Sequence, residues 1–154
     1  LPPAEFFARF PEGTYTITAK GIDGEKLAGE SEISHVLPAA PGNVRINGVL
    51  APTDCDEAIP LSAAPVVITW DPVTTSHPTL GEPGAVAIES YGVELEIDIL
   101  DEEFSSTALL PPTVTSFQVS DTLLALVSGA IEFEILARDS NGNRSIVETC
   151  FDVQ

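Results

Sequence analysis

The sequence predicts an all-β protein built around a β-sandwich, and three observations support this fold class. Residues 91–99 alternate strictly between an apolar residue and a glycine or acid, which is typical of a strand with one buried and one solvated face. Further short segments of this kind recur between residues 41 and 154, separated by turn residues, so about seven strands are expected there. The hydrophobic content of 44% is sufficient for a packed core and argues against global disorder.

The N-terminal residues predict a short helix followed by a β-hairpin. The spacing of the phenylalanines in residues 4–10 is compatible with a helix, and Pro11 ends it. Residues 13–21 alternate as a strand, Asp23-Gly24 predicts a tight turn, and a second strand runs to about residue 36. Because a lone hairpin is marginal in water, this one must pack on another part of the chain, a longer parent or a neighbouring copy.

A domain boundary is predicted at residues 37–42, where prolines and a glycine among small residues make a short, stiff linker. The chain therefore divides into a hairpin appendage over residues 1–40 and a sandwich over residues 41–154. Residues 101–103 are expected to form a turn, and Asn141-Gly142 predicts a hairpin turn. The strands expected in the sandwich span residues 44–49, 66–70, 91–99, 113–119, 131–137 and 144–153.

An internal repeat links the two parts of the chain. Residues 10–23 align with residues 126–139, and in both a glycine precedes an alternating strand that ends at an aspartate before a tight turn. The N-terminal hairpin therefore looks like the last hairpin of a related unit, although the shared chemistry of hairpins alone would also produce this similarity.

The charge of the chain restricts its partners. The formal net charge is −18, from 24 acids and six bases, so nucleic acid and anionic membranes would be repelled. No apolar run approaches the ~20 residues that cross a bilayer, so membrane insertion is not expected. The acids are either a solubilising coat or an attraction for cations, a basic protein surface or another basic partner, and composition leaves both interpretations open.

The sandwich residues resemble a fibronectin type III domain, a member of the immunoglobulin-like sandwiches. The segment Ile68-Thr-Trp70-Asp-Pro72 resembles the second-strand tryptophan motif, and Tyr91 follows about 20 residues later, as in the third strand of the family. Residues 115–119 and 133–143 resemble the fifth strand and the sixth strand with its turn. The family usually carries a tyrosine near the start of the sixth strand, where this chain has Ile131; the N-terminal hairpin has Tyr15 at its equivalent point. The overall organisation is similar to that of secreted bacterial proteins.

The two cysteines, Cys55 and Cys150, are compatible with one disulfide or with two buried thiols. The resemblance implies a disulfide, because the first connection and the end of the last strand of such a sandwich lie at the same pole. The bridge would close a loop of about 95 residues. Alternation in the last strand turns Cys150 outward, so the connection that carries Cys55 must wrap over the sheet edge.

The strongest candidate site is an acidic sheet face. Alternation turns Glu94, Glu96 and Asp98 outward on the third strand, and Glu132 and Glu134 outward on the sixth. In a type III sandwich these two strands are neighbours, so five carboxylates would share one face. Two interpretations remain: a bound divalent cation such as calcium or a basic partner offsets their repulsion, or the face is simply solvated and screened.

Other candidates for metal binding or catalysis are weaker. Residues 139–150 resemble a calcium loop, but Arg144 stands where glycine is needed and Cys150 where glutamate is needed. The acids at positions 54, 56 and 57 form a nonspecific cluster. His35 and His77 have no ligand neighbours at metal-binding spacing and are interpreted as structural or surface residues. No nucleophile elbow, phosphate-binding loop or dinucleotide fingerprint is present.

These observations predict a non-enzymatic binding or spacer module that is secreted, periplasmic or displayed at the cell surface. Its recognition surfaces would be the acidic face and the loops at residues 74–85 and 140–143, since loops on rigid scaffolds commonly carry recognition. Expected partners are a basic protein surface or another copy of the chain, and no cofactor is expected apart from the calcium alternative. The second hypothesis is an accessory module that positions the substrate or carbohydrate of a larger secreted enzyme.

Overall fold

A computed structural model describes residues 1–53, 55, 60–99, 102–127 and 129–153. In this part of the chain nearly all regular structure is β-strand, and the strands form three sheets that are almost entirely antiparallel. The predicted all-β class is therefore confirmed. The first elements are the helix α1 (Pro3–Arg9) and the strands β1 (Gly13–Lys20) and β2 (Lys26–Ile33), which pair with each other as a two-stranded sheet.

Two larger sheets follow in the chain. One has the order β4-β3-β6-β9 and the other the order β5-β11-β10-β7-β8. Their elements are β3 (Arg45–Ile46), β4 (Val49–Leu50), β5 (Leu61–Ser62), β6 (Val67–Thr69), β7 (Ile88–Ile99), β8 (Glu102–Leu110), β9 (Ser116–Gln118), the short helix α2 (Asp121–Leu124), β10 (Gly129–Asp139) and β11 (Arg144–Val153).

The inner faces of the two larger sheets form the core. Side chains of β7 and β10 that alternation placed inward are almost completely buried, and they pack against Ile46 and Ile68 from the other sheet. Trp70 and Tyr91, the two aromatic residues of the family motif, also lie in the core and are 4% and 1% exposed. The inward residues of β7 and β10 are Tyr91, Val93, Leu95, Ile97, Ile131, Phe133, Ile135 and Ala137.

The strand predictions need two corrections. The strand expected over residues 44–49 is interrupted by Asn47 and Gly48, whose φ angles of 49° and 84° make a tight turn between β3 and β4. Glu102 and Glu103 were expected in a turn, but they begin β8, which pairs with β7 along its whole length. The two larger sheets contain nine described strands rather than about seven, because the segment at 44–49 divides into β3 and β4 and because β5 and β8 were not predicted. β5 is too short to show alternation, and the sequence of β8 does not alternate.

Cys55 and Cys150 form the predicted disulfide, with their Cα atoms 5.8 Å apart. The path of the chain explains how an outward-facing cysteine can be bridged. After β4 the chain leaves its sheet, and β5 pairs in parallel with the end of β11 at the edge of the other sheet. The Thr149 hydroxyl donates to the Pro52 carbonyl at 2.7 Å, which holds the connection against β11. Cys150 is consequently fully buried, although alternation had suggested an outward, open position.

Candidate functional site

The outer face of the five-stranded sheet carries aligned rows of carboxylates. Glu134 on β10 lies directly opposite Glu94 on β7 and Glu148 on β11. Glu132 lies opposite Glu96 in the next row. Because directly opposed residues in an antiparallel pair have Cβ atoms ~4.5–5.5 Å apart, the first row places three carboxylates side by side on three strands. Glu148 was not among the predicted members of this face.

The electrostatic cost of this arrangement is concentrated at Glu134. Partial burial on the sheet surface, together with the negative charges of Glu148, Glu94 and Glu96, raises the pKa of Glu134 above the usual value of a glutamate. Desolvation is the largest cause, and the three neighbouring carboxylates act in the same direction. The fold therefore holds a carboxylate at a position where its charged form is disfavoured.

An apolar row lies next to the row of three carboxylates on the same face. Leu136 is opposite Ile146 on one side and Gly92 on the other, and Gly92 is opposite Leu109 on the edge strand β8. Ile146 is 47% exposed and Leu109 is 77% exposed. The Leu136 side chain lies over Gly92, where an added Cβ would be 3.5 Å from its Cδ1. The face thus combines negative charge with exposed aliphatic surface.

The metal-binding expectations receive no support from the described residues. Among these residues no group of three or more His, Cys, Asp or Glu side chains is placed to hold a metal ion. The side chain of Asp98, the fifth predicted member of the acidic face, lies outside the part of the structure that is described, as do the acids at positions 54, 56 and 57.

The loop that resembled a calcium site is organised as a hairpin turn. Asp139 is buried, and its Oδ1 accepts hydrogen bonds from the backbone N–H groups of Asn141 and Asn143 at 3.0 and 2.9 Å. The side-chain amide of Asn143 then donates to the carbonyls of Ser34 and Val36 at 3.1 and 3.0 Å. This turn therefore fastens the segment that leads out of the N-terminal hairpin.

The two loops predicted to display recognition residues both hold that same segment, residues 34–39. The carbonyl of His35 accepts from Glu82 N–H at 2.8 Å, and the carbonyl of Leu37 accepts from His77 N–H at 2.8 Å. The Ser145 hydroxyl donates to the Ala39 carbonyl at 2.9 Å. Residues 34–39, which lead into the predicted stiff linker, therefore form a docked strap, and the loops at 74–85 and 140–143 use backbone and side-chain groups to hold it.

His35 connects the strap to the N-terminal unit, which consists of α1, β1 and β2. Its ring lies 4.6 Å from the ring of Phe7, and its Nε2 is 2.8 Å from the carbonyl oxygen of Phe10. Its backbone N–H donates to a carboxylate oxygen of Glu12 at 2.6 Å. His77 has a local role, because its Nδ1 accepts from the N–H groups of Thr79 and Leu80 at 3.2 and 3.0 Å. Both histidines are thus engaged in structural contacts, as predicted.

Comparisons with protein-family models and with curated proteins found no match for this sequence. Among the described residues there is no helix of the length and hydropathy that membrane spanning requires.

Sequence reasoning missed the apolar row and the role of Asn143 for different reasons. The apolar row crosses four strands, so Leu109, Gly92, Leu136 and Ile146 become neighbours only through strand register. The outward position of Leu136 and Ile146, out of phase with the inward residues of their strands, was a signal that could have found half of it. Asn143 gave no such signal, because its partners are backbone carbonyls more than 100 residues away.

Proposed function

We propose that this protein is a non-enzymatic extracytoplasmic binding module with a fibronectin type III-like fold, and that its ligand is a protein surface both basic and partly apolar. The observation that carries the proposal is the outer face of the five-stranded sheet. There the carboxylate row of Glu94, Glu134 and Glu148 runs beside the aliphatic row of Leu109, Leu136 and Ile146. We name these two rows together the acidic–aliphatic face.

The energetics of the carboxylate row support a charged partner. Like charges directly opposite each other on neighbouring strands destabilise a sheet, at about 0.2–1 kcal/mol per pair. The pKa of Glu134 is raised by burial and by its acidic neighbours, so a bound lysine or arginine side chain would relieve the repulsion. A second copy of the chain docking through this same face would instead double the negative charge, which favours a basic partner over self-association there.

The adjacent aliphatic row supports a macromolecular partner rather than free ions. Exposed apolar side chains gathered in one patch commonly mark protein interaction sites. Leu109, at 77% exposure, and Ile146, at 47%, would lose water contact on binding. Gly92 has no side chain of its own, and the Leu136 side chain lies over it, so the middle of the row is also aliphatic.

The type III-like assignment is supported by the sheet order and by the two aromatic residues of the motif. The chain crosses between the two sheets several times, with β3, β6 and β9 in one and β7, β8, β10 and β11 in the other, as in Greek-key sandwiches. Trp70 follows β6 and lies edge-on to Tyr91 of β7, with ring centroids 5.5 Å apart. An extracytoplasmic location is supported by the disulfide between Cys55 and Cys150, since such bonds persist in oxidising compartments.

Binding to two synthetic peptides tests the proposed face. One peptide is oligolysine and the other alternates lysine with leucine at equal length, and calorimetry measures both at several salt concentrations. We expect the alternating peptide to bind more tightly, because it reaches both rows, and both affinities to fall with salt. The triple variant E94Q/E134Q/E148Q should lose binding of both peptides, whereas Leu109→Gln should weaken only the alternating peptide.

A matched control separates a site from net charge. Glu5, Glu30 and Glu32 are exposed carboxylates of the N-terminal unit, and their triple replacement by glutamine removes the same charge. The control variant should bind both peptides as the parent protein does. Equal losses in the two triple variants would mean that binding follows net charge alone, and the acidic–aliphatic face would then not be the site.

A further inference from the structure

The first 33 residues repeat the organisation of the last third of the sandwich. In both places a short helix is followed, four or five residues later, by a glycine with positive φ that begins a strand. Gly13 has φ 138° after α1, and Gly129 has φ 109° after α2. An antiparallel hairpin follows in each case, β1-β2 in the first and β10-β11 in the second.

The two hairpins also close with the same turn. The equivalent turn residues are 21–25 and 139–143, and in each turn the fourth residue is a glycine with positive φ, 83° at Gly24 and 87° at Gly142. This equivalence is two residues away from the alignment of the sequences, which paired Asp23 with Asp139, because β1 is shorter than β10. The backbone hydrogen bonds have the same pattern and the same lengths within 0.1 Å: Gly21 N to Glu25 O at 2.9 Å and Gly24 N to Gly21 O at 3.0 Å, against Asp139 N to Asn143 O at 3.0 Å and Gly142 N to Asp139 O at 3.0 Å.

The hairpins differ in what covers their apolar faces. In β10-β11 the apolar face packs into the core formed with the sheet that contains β3, β6 and β9, and its residues Phe133 and Phe151 are fully buried. In β1-β2 the register places Tyr15, Ile17 and Ala19 on one face together with Leu27 of the partner strand. Ile17 is 62% exposed and Leu27 is 52% exposed. The core of the described chain draws its residues from Ala39 onward, so that core does not extend to this face.

Tyr15 adds an independent geometric feature. Its hydroxyl donates to the carbonyl of Pro11 at 2.9 Å, four residues upstream. In immunoglobulin-like sandwiches a tyrosine near the start of the sixth strand makes this kind of bond to the preceding backbone, where it fixes the corner through which the chain enters the strand. β1 therefore begins with the tyrosine hydrogen bond that is typical of a sixth strand, whereas β10 has Ile131 near the corresponding point.

We infer that α1, β1 and β2 are the C-terminal part of a second sandwich, and that their apolar face binds a sheet of antiparallel strands supplied by an upstream segment of the same polypeptide. The order of strands in the sandwich formed by β3 to β11 indicates which segment should cover the hairpin face. There the covering strands β3, β6 and β9 all precede the hairpin in sequence, so the equivalent strands for β1-β2 belong before α1. The covering face must be apolar, because the face formed by Tyr15, Ile17, Ala19 and Leu27 carries no charge.

A second sandwich would also explain why the docked strap is held in place by several hydrogen bonds. Residues 34–39 join β2 to the sandwich and are fixed by Asn143, Ser145 and the loop that contains Glu82. With both sandwiches complete, His35 would sit at a stiff junction that sets their relative orientation. The inference does not depend on the acidic–aliphatic face, and the two proposals are tested by separate experiments.

The test compares this 154-residue chain with the full-length gene product by amide hydrogen exchange and mass spectrometry. In the 154-residue chain the amides of β1 and β2 should exchange much faster than those of β10 and β11, because the hairpin face is exposed in the described part of the chain. In the full-length product their exchange should slow by at least about tenfold. Unchanged exchange in the full-length product, or a gene that encodes no strands upstream, would overturn the inference.

Two variants on opposite faces of β1 sharpen the test. Ile17→Asp lies on the apolar face and Thr18→Asp on the polar face, where its neighbour in the register is the uncharged Ala28. In the full-length product Ile17→Asp should abolish the added protection, and Thr18→Asp should leave it intact. In the 154-residue chain both variants should have the same urea midpoint as the parent protein when unfolding is followed by Trp70 fluorescence. An unchanged midpoint shows that the sandwich remains folded. Dimerisation of the 154-residue chain that Ile17→Asp disrupts would identify a second copy as the occupant and contradict the inference.

Discussion

Tyr91 shows how one residue serves both packing and hydrogen bonding. Its ring is 1% exposed and lies edge-on to Trp70, while its hydroxyl oxygen accepts the backbone N–H of Val73 at 2.8 Å inside the core. Val73 lies just after Trp70 and the Asp71-Pro72 pair, so this bond fixes the chain where it leaves the core. The tyrosine is thus needed for its oxygen as well as for its volume.

Tyr91→Phe should therefore destabilise the protein by about 1–3 kcal/mol, because it leaves the buried N–H of Val73 without an acceptor. Urea denaturation followed by Trp70 fluorescence measures the change. Tyr15→Phe in the same 154-residue chain is the matched control, since its bond to Pro11 is solvent-exposed. Equal and small effects of the two substitutions would show that the Val73 N–H finds another partner.

Glu134→Gln should stabilise the protein at neutral pH, by an amount on the order of 0.5 kcal/mol after allowance for screening by solvent. The folded-state pKa of Glu134 is raised, so the folded protein takes up this proton at a higher pH than the unfolded chain does. The charged form consequently costs stability above the raised pKa, and the cost disappears as the pH falls below the usual pKa of a glutamate.

Thermal melting across this acidic range should show the advantage of Glu134→Gln shrinking as the pH falls. Glu30→Gln is the control, because Glu30 is exposed and its neighbour in the register is Thr16. An advantage that stays constant with pH would show that the effect comes from packing rather than from charge.

At the scale of elements, the contact between the strap and the loop at residues 74–85 depends on two glycines. A Cβ at Gly81 would collide with the carbonyl oxygen of His35, and one at Gly84 would be 2.8 Å from Val36 Cγ2. Gly81 also has φ 71°, which favours glycine. The close approach of these two segments is therefore built into the loop sequence.

Gly81→Ala should lower the free energy of unfolding by roughly 1–2 kcal/mol, because it adds backbone strain and a clash with the strap. Hydrogen exchange should also quicken at His77 and Glu82, whose N–H groups donate to the strap. Gly29→Ala is the control, since no atom lies within 4 Å of the added methyl group. An unchanged exchange rate at Glu82 would mean that the strap does not depend on this contact.

The disulfide links the first connection of the sandwich to its last strand. Because the closed loop spans 95 residues, replacing both cysteines by alanine should cost roughly 4–5 kcal/mol in the chain-entropy account. Urea midpoints of the double variant and the parent protein, with intact mass confirming the oxidised parent, measure the loss. A parent protein that shows two free thiols under nonreducing conditions would contradict both the bond and the compartment proposed from it.

At the scale of the whole molecule, the core and the N-terminal unit are separate. The core residues lie from Ala39 onward, and the strap holds the N-terminal unit through His35 and its neighbours. Removal of residues 1–33 should therefore shift the Trp70 unfolding midpoint only slightly. Removal of residues 1–40 should shift it strongly, because it takes away the buried Pro38 and also Ala39, which packs on the core. An equally strong shift of the midpoint for both truncations would indicate that the hairpin itself stabilises the sandwich.

The sequence by itself determined the all-β class and the inward residues of the long strands. Alternation identified Tyr91, Val93, Leu95 and Ile97 on β7 and the inward residues of β10, and all of them are buried. This succeeds because strand periodicity is a local property, and one buried face imposes it on the residues themselves. The aspartate and glycine signals for the hairpin turns have the same local origin.

The tertiary structure alone decided which outward residues become neighbours and which loops are covered. The strand register brings Glu148 beside Glu134 and Ile146 beside Leu136. Side-chain hydrogen bonds from Asn143 hold residues 34–39 against the sandwich as a docked strap, a contact that the expected stiff linker did not imply. These contacts join residues far apart in sequence, and their energies depend on register and on chain path rather than on local pattern. Alternation along a strand therefore predicts which face of the sheet each residue lies on. Only the register of the assembled strands determines which residues become neighbours on that face.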